Sequence, residues 1–221
     1  MVRAGKRVKT GVLVSGGGTN LQALIEATSN PDFPAEIVLV VSNRPGVKSL
    51  ERATGAGIDA QVIDHTAFAD KRTFEQAVDD AFRTAGCEIV CLAGFMRILT
   101  ADFVGEWSGR LLNIHPSLLP AFPGLNTHNR ALEAGVRVAG CTVHLVSAEL
   151  DAGPILIQAA VSVHQDDTPE SLAARVLVQE HVIYPKALAW LATKRVYVAQ
   201  GRASIRDIDH QLGVMVSPAS R

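Results

Sequence analysis

The alternation of short, largely apolar runs with segments of helical periodicity constrains this fold more than any other feature of the sequence. Apolar runs occur at residues 8–14, 37–41 and 89–92, and a shorter one occurs at 61–63. Strands that are covered on both faces are expected to be apolar throughout, because neither face meets water. Between the runs at 61–63 and 89–92, apolar residues recur with helical spacing, at Phe74, Ala77, Val78, Ala81 and Phe82. This rhythm predicts an α/β fold with a doubly wound, mostly parallel sheet.

The pattern changes after about residue 138. Two strand-like runs, 141–146 and 155–159, are separated by a polar loop, which predicts an antiparallel C-terminal addition to the edge of the sheet. Thr168 then has the position of a helix cap, and Pro169 would be the first helical residue. A long helix is therefore predicted to follow the two strands.

Later residues give weaker signals. Pro185 lies inside the predicted long helix and predicts a break or a kink there. The tail, residues 206–221, has weak periodicity and is expected to be loose. Since no linker divides the chain, a single domain is expected over residues 1–221.

Composition and charge exclude several classes of protein. Lys and Arg number 21 against 22 Asp and Glu, so the formal charge of -1 gives no general attraction to nucleic acid. No apolar run approaches the length of a membrane span, so no membrane partner is expected. Cys87, Cys91 and Cys141 lie in apolar segments, which is typical of reduced core residues in a cytoplasmic protein. The second cysteine pair of a zinc site is lacking, and no metal is expected.

A glycine-rich turn follows the first strand and precedes a helical segment: Ser15-Gly16-Gly17-Gly18-Thr19-Asn20. Glycines let the backbone approach an anion closely, and the free N–H groups at the start of a helix favour phosphate. The turn is a poor dinucleotide fingerprint, because Leu21 replaces the third glycine and no acidic residue follows the second strand. The residues predict a site for a single phosphate, and the alternative is a tight turn without a ligand.

A polar pair, Asn113 and His115, ends an apolar run at 111–114 and precedes a loop stiffened by Pro116 and Pro120. Residues two apart in a strand point to the same side, so both polar side chains are predicted to face one cavity. A buried strand that ends in polar residues is typical of the catalytic edge of α/β enzymes. The alternative is a hydrogen-bonded strand end with a core histidine.

Two other segments are candidates for the same edge. Asp151 precedes a turn at Gly153-Pro154, and an aspartate in this position more often caps its own turn. Paired with His115, however, a carboxylate would favour the imidazolium and fix the orientation of the ring. Residues 94–99 are typical of core, but their position after a strand predicts that they border a ligand cleft. Residues predicted to be structural or at the surface are Ser117, His65, His128 and His144.

Several motifs together resemble the phosphoribosylglycinamide formyltransferase family of folate-dependent purine synthesis: 15–23, 93–99, 109–120, Pro123-Gly124, Thr127-His128 and 150–154. The resemblance runs in order from about residue 8 to residue 190. It implies a Rossmann-like formyltransferase fold with a phosphate-binding half, 8–105, and a catalytic and folate-binding half, 106–200. It also implies 10-formyltetrahydrofolate as the formyl donor and 5-phosphoribosylglycinamide as the acceptor.

The resemblance further implies a role for each matching residue. Donation to an oxyanion and assistance to proton movement would fall to Asn113, His115 and Asp151. The implied phosphate ligands are Gly17, Gly18, Thr19 and Asn20. The implied folate ligands are Lys71, Met96, Arg97, Ile98, Leu99 and Asn113. Whether Lys71 or the adjacent Arg72 contacts folate stays open, and Glu180 is implied to lie near the substrate.

The expected activity is therefore formyl transfer to a small-molecule amine, with three alternatives. A formyltetrahydrofolate deformylase usually carries a preceding regulatory domain, whereas about seven residues precede the first strand here. A methionyl-tRNA formyltransferase would need a basic RNA-binding domain. A non-catalytic phosphometabolite-binding module would keep the glycine turn without needing Asn113, His115 and Asp151 together. The protein is expected to be cytoplasmic, and a homodimer is compatible with the resemblance.

Overall fold

A seven-stranded sheet forms the centre of the molecule. The computed structural model describes residues 6–208 and residue 217. The strand order is β3-β2-β1-β4-β5-β6-β7; β1 to β5 are parallel, whereas β6 and β7 each run antiparallel to the strand before them. The strands are β1 (Val8–Val14), β2 (Ala35–Ser42), β3 (Asp59–Val62), β4 (Ile89–Leu92), β5 (Leu111–His115), β6 (Val138–Leu145) and β7 (Ile155–Ser162).

Helices cover both faces of this sheet. They are α1 (Thr19–Thr28), α2 (Lys48–Gly55), α3 (Lys71–Thr84), α4 (Ala101–Glu106), α5 (Thr127–Glu133) and α6 (Pro169–Ala192). One core lies under α1 and α6 and includes Leu24 and Leu172, which are fully buried. The other lies under α3 and α4 and includes Phe82 and Trp107. The predicted doubly wound α/β fold is confirmed.

The antiparallel C-terminal addition is also confirmed, with wider bounds than predicted. β6 pairs with β5 over residues 142–145 and with β7 over residues 138–144. The register places His144 opposite Asn113 and Thr142 opposite His115. Cross-strand neighbours on one face of an antiparallel pair lie within about 5.5 Å of each other. The addition therefore brings β6 side chains next to the polar end of β5.

Helix α6 is the longest in the described chain, at 24 residues. The Thr168 side chain accepts a hydrogen bond from the N–H of Ser171, and Pro169 is the first helical residue, as predicted. Of the predicted break or kink at Pro185, the break is wrong, because the helix continues through this residue. A proline inside a helix costs about 3 kcal/mol. That cost is offset by burial of the neighbouring side chains, notably Tyr184 and Leu188, both fully buried.

The remaining segments were predicted incompletely. A small hairpin, β8 (Val196–Ala199) with β9 (Arg202–Ile205), follows α6 and packs near β7. In the tail predicted to be loose, the N–H of Arg206 donates to the Arg195 carbonyl at 2.9 Å. The rest of that prediction lies largely outside the described residues, at 209–216 and 218–221. Among the helices that the structure describes, none is long and apolar enough to cross a membrane.

Candidate active site

Loops with polar side chains converge at the carboxyl edge of the parallel strands. The sheet grows in opposite directions from β1, which pairs with β2 on one side and β4 on the other. Open α/β sheets bind ligands in the crevice at such a point. Here Ser15 Oγ donates to Asn43 Oδ1 at 2.7 Å and accepts from the N–H of Met96 at 3.0 Å. One hydroxyl therefore joins the loops that follow β1, β2 and β4.

The glycine-rich turn presents backbone N–H groups without acceptors. Gly18 has a left-handed conformation (φ 71°, ψ 35°) and begins α1 with no side-chain cap. Among the described residues, none accepts a hydrogen bond from the N–H of Gly17, Gly18, Thr19 or Asn20. A left-handed residue beside helical ones forms an anion-binding concavity of backbone N–H groups. The structure therefore brings the four predicted phosphate ligands together.

A cavity of about 420 Å³ opens beside this turn. Its wall includes residues 15–20, Met96 and Pro116, together with Glu180 from α6. Asn20 Nδ2 donates to Glu180 Oε2 at 2.6 Å. Burial raises the pKa of Glu180, and the hydrogen bond from Asn20 opposes that change. Asn20 Oδ1 is buried without a partner, which leaves one acceptor free for a ligand.

His115 and Asp151 approach each other as predicted. His115 Nδ1 lies 3.5 Å from Asp151 Oδ2, and both side chains are at least nine-tenths buried. Asp151 has a left-handed backbone (φ 53°), which aspartate tolerates better than most residues, and its Oδ2 accepts from the N–H of Gly124 at 2.8 Å. The other ring nitrogen, Nε2, lies 3.0 Å from the Phe122 carbonyl. Both ring nitrogens thus face acceptor oxygens.

Asn113 is held by a histidine from the neighbouring strand. Its Nδ2 lies 3.1 Å from His144 Nε2, while His144 Nδ1 lies 3.0 Å from the Leu145 carbonyl. Burial lowers the pKa of His144, so the neutral ring donates through Nδ1 and accepts through Nε2. His144 Nε2 also lies 3.9 Å from Asp151 Oδ1. The Asn113 amide therefore keeps one N–H for a ligand.

Sequence reasoning missed two histidines at this site. His144 and His128 were interpreted as structural or surface residues, but His144 contacts Asn113 and His128 lines the cavity beside the glycine turn. Burial lowers the pKa of His128, and the nearby His115 lowers it further. The signal for His144 was the register of β6 against β5, which the hydrophobic pattern alone does not fix. Ser117 and His65 keep their predicted structural character, with Ser117 Oγ donating to the Ala121 carbonyl at 2.6 Å.

The predicted folate ligands after β4 form an exposed loop. Met96 and Ile98 are 67% and 62% exposed, whereas Leu99 is buried. Together they make this loop a candidate ligand-binding surface, because neighbouring exposed apolar side chains can form a binding patch. The Arg97 guanidinium carbon lies 5.8 Å from the centre of the Phe74 ring, and Arg97 Nε is buried without a partner.

Lys71 and Arg72 have different surroundings at the start of α3. Lys71 Nζ lies 3.8 Å from Glu75 Oε1, and Glu75 also accepts from the N–H of Thr100 at 3.0 Å, just after the exposed loop. Arg72 instead lines a separate polar cavity of about 710 Å³ between α3 and α4. Of the two, Lys71 is therefore the residue connected to the loop that follows β4.

Cysteine and metal chemistry have no support within the described chain. Burial raises the pKa of Cys87, Cys91 and Cys141 to about 12, so the thiols stay protonated at neutral pH. No cluster of three or more His, Cys, Asp or Glu side chains that could hold a metal occurs in the part of the chain that the structure describes. What the site does offer is an amide N–H, an imidazole and a carboxylate, close together and shielded from water.

This chain is similar to known proteins over most of its length. Residues 8–188 match the formyl transferase domain family. Phosphoribosylglycinamide formyltransferase of Escherichia coli is 43% identical over 192 residues, which cover 87% of this chain and 91% of that protein. Glycinamide ribonucleotide transformylase 1 from Symbiobacterium toebii superposes with a TM-score of 0.89 at 45% identity, covering 91% of this chain and 95% of that one.

A larger relative contains the same unit. The trifunctional purine biosynthetic protein adenosine-3 of Gallus gallus is 53% identical over 194 residues, or 88% of this chain. The chain spans about a fifth of that protein's length, since the match covers 19% of it. With a matching domain over most of its residues and a relative covered almost end to end, this chain belongs to the formyl transferase family, among the phosphoribosylglycinamide formyltransferases.

Proposed function

We propose that this protein transfers a formyl group to the amine of 5-phosphoribosylglycinamide in de novo purine biosynthesis. The observation that carries the proposal is the placement of two features at one edge of the sheet. The glycine turn offers free N–H groups to a phosphate, and the group of Asn113, His115 and Asp151 lies at the end of β5, two strands away. A ribosyl phosphate bound at the turn would direct its glycinamide amine along the crevice toward that group. Family membership supports the same reaction.

In this proposal the substrate phosphate binds the turn. The N–H groups of Gly17, Gly18, Thr19 and Asn20 would bind its oxygens, helped by the positive end of the α1 dipole. Glu180 lies on the same cavity wall, and we infer that it contacts the ribose of a molecule bound at the turn. The acceptor named in the family's name, phosphoribosylglycinamide, carries a phosphate, and the free N–H groups of the turn suit a phosphate. Both observations support binding of the acceptor by its phosphate at this turn.

The formyl donor is proposed to be 10-formyltetrahydrofolate, which acts as a co-substrate. The exposed loop after β4 suits a flat, partly apolar ring system, because Met96 and Ile98 present apolar surface to solvent. Leu99 and Asn113 complete the proposed lining. Positive charge at Lys71 and Arg97 complements the carboxylates of the folate tail. No step in this reaction requires a metal.

The proposed reaction is a direct attack by the amine. Its nitrogen forms a bond to the formyl carbon, and the formyl oxygen becomes negative in the tetrahedral intermediate. The free Asn113 N–H would stabilise that oxygen, and His115 would add a second donor by exchanging the Phe122 carbonyl at Nε2 for the oxyanion. Asp151, at Nδ1, would stabilise the imidazolium. Collapse breaks the bond to N10 of the folate. The amine loses one proton while N10 gains one, so proton number balances, with water as the relay.

For the whole molecule we infer one catalytic domain that acts on small molecules in the cytoplasm. Within it, residues 8–105 supply the phosphate turn and 106–200 supply the catalytic group. The cavity draws on both segments, because Pro116 and Glu180 face the turn. A homodimer remains part of the proposal.

The deciding experiment is an assay of formyl transfer with the purified full chain. Incubation with 10-formyltetrahydrofolate and 5-phosphoribosylglycinamide should release tetrahydrofolate and formylate the acceptor. Without the acceptor, turnover should be negligible. Release of formate without acceptor would indicate a deformylase instead. Binding of both ligands without turnover would indicate a binding module.

A further inference from the structure

Helix α2 contacts the glycine turn without contributing to the cavity wall described above. Arg52 Nε donates to the Gly17 carbonyl at 3.0 Å, and the N–H of Ser49 donates to the Gly16 carbonyl at 3.2 Å. No α2 residue is part of the cavity wall in the part of the chain that the structure describes. Two consecutive carbonyls of the turn are thus fixed by a helix that does not itself reach the ligand.

The geometry of the peptide bond transmits this contact to the ligand side. In a trans peptide the C=O of one residue and the N–H of the next point in opposite directions. Because the Gly16 and Gly17 carbonyls point to α2, the N–H groups of Gly17 and Gly18 must point away from it. These are the groups proposed to bind the phosphate. Fixing the carbonyls therefore fixes the direction of the phosphate donors.

The Arg52 guanidinium is itself held on its second side. Arg52 Nη1 donates to Gln22 Oε1 at 3.0 Å, and the N–H of Gln22 donates to the Gly18 carbonyl at 2.9 Å. One planar fork thus connects the turn to the first turn of α1. A lysine in this position would keep the charge, but its compact ammonium cannot reproduce the planar fork.

We propose that Arg52 is a positioning residue for the phosphate of the substrate. It orients the Gly17–Gly18 peptide before the ligand arrives, so that binding does not have to order a flexible glycine turn. Glycine loses more conformational freedom on ordering than any other residue, so a pre-ordered turn binds more tightly. This inference rests on the proposed function, because it concerns the phosphate site of that reaction.

The test uses three variants of the full chain. Arg52→Gln removes the charge and the fork, Arg52→Lys keeps the charge, and Gln22→Leu removes the support of the fork while leaving Arg52 in place. The control is Arg137→Gln, which removes one charge just before β6. Arg137 is exposed and its side chain makes no hydrogen bond to any described residue. Steady-state kinetics would be measured with each substrate varied in turn, alongside competitive inhibition by inorganic phosphate.

Arg52→Gln should raise KM for 5-phosphoribosylglycinamide by about 10-fold, the scale of one lost hydrogen bond to a charged group. The inhibition constant of inorganic phosphate should rise by a similar factor. kcat and KM for the folate should change less than about twofold. Gln22→Leu should shift the same two constants in the same direction, and Arg137→Gln should shift none of them. For Arg52→Lys, KM for 5-phosphoribosylglycinamide and the inhibition constant of phosphate should lie between those of the wild type and Arg52→Gln.

Full rescue by lysine would overturn the inference, because it would show that charge alone matters. Unchanged constants in folded Arg52→Gln would overturn it as well. If that variant does not fold, Gln22→Leu and Arg52→Lys decide the question by the same constants. A wild-type enzyme without formyl transfer activity would instead overturn the proposed function, which separates the two failures.

Discussion

Among single residues, His115 and Asp151 form the buried pair that we propose to act as one catalytic group. Asp151→Asn keeps the shape but removes the charge that faces His115 Nδ1 at 3.5 Å. We expect that change, or His115→Ala, to lower kcat by roughly 100-fold or more, the usual scale for acid–base groups. The double variant should lose much less than the product of the two effects, because groups that act together are not additive.

The control for this prediction is stability. Both side chains are buried, so each variant would be unfolded in urea and its turnover corrected to the folded fraction. Asn113→Ala should also lower turnover, through loss of an amide donor to the oxyanion. Near-normal turnover in folded Asp151→Asn would contradict the proposed role and leave Asp151 as a turn residue.

Residues at the site differ in how far the sequence predicted them. Asn113 and His115 follow from strand periodicity, and the pairing of His115 with Asp151 matched the structure at 3.5 Å. His144 was missed because its position opposite Asn113 depends on the β5–β6 register, which no short motif specifies. Arg52 was missed because its contact with Gly17 spans 35 residues of sequence.

Among elements, the glycine turn allows a matched pair of substitutions. A Cβ at Gly18 would lie 2.7 Å from Ser49 Cβ, at a backbone with positive φ, whereas one at Gly17 would meet nothing within 4 Å. Gly18→Ala should therefore destabilise the protein by at least about 1 kcal/mol, the cost of the left-handed conformation. Gly17→Ala should keep stability within about 0.5 kcal/mol while weakening binding of 5-phosphoribosylglycinamide.

Urea unfolding and calorimetric titration with each ligand would check this pair. Folate binding by Gly17→Ala serves as the internal control and should be unchanged. Equal loss of affinity for both ligands would count against a dedicated phosphate site at this turn.

The loop after β4 gives a second prediction for an element. A folate analogue without the formyl group should slow hydrogen exchange of the backbone amides of Arg97, Ile98 and Leu99, because the proposed ring system covers them. Exchange would be followed with and without the analogue, and the amides of the β8–β9 hairpin provide an unaffected reference. Protection elsewhere, with none in this loop, would move the proposed folate site.

Long or fully apolar elements were the predictable ones. β1, β2, β4 and α3 follow from largely apolar runs or from a clear helical stripe, and most of their apolar positions are buried in the structure. The short helices α4 and α5, with 6 and 7 residues, carry too few apolar positions to show a period. The helix does not break at Pro185, because burial of the neighbouring α6 side chains outweighs the local cost of the proline.

For the whole molecule, stability should fall as the pH drops below about 6.5. Burial lowers the pKa of His128, His144 and His181 from the reference value of 6.5. The unfolded chain therefore binds protons that the folded protein does not, and this favours unfolding as the pH falls. Glu180 has the opposite sign, since its raised pKa lets the folded state bind its proton first, and it offsets part of the loss.

His144→Gln isolates one part of this effect. The variant should lose less stability than the wild type between about pH 7.5 and about pH 5.5, because one titrating group has been removed. Urea unfolding at both pH values gives the two differences directly. Equal differences in the two proteins would show that His144 titrates alike in the folded and unfolded states.

At this scale the period of the apolar pattern was enough to predict the architecture. Parallel strands between helices can pack in few ways, so the rhythm of residues 8–92 already fixes a doubly wound sheet. Contacts between distant segments were less predictable, because pairs such as Asn20 and Glu180 are 160 positions apart in the sequence.

The hydroxyl of Ser15 forms hydrogen bonds to two loops at the same time, the loop that follows β2 and the loop that follows β4. The proposed acceptor site begins two residues after it, and the proposed donor site begins at Met96, whose N–H it binds. If one ligand binds more tightly to one orientation of this hydroxyl, its binding therefore changes the affinity of the other site for its own ligand. Thermodynamic reciprocity requires that each ligand change the affinity for the other by the same factor. The Ser15→Ala variant removes this hydroxyl and with it the coupling that the hydroxyl provides. For each ligand, the ratio of its affinity in the presence of the other ligand to its affinity alone should then approach one.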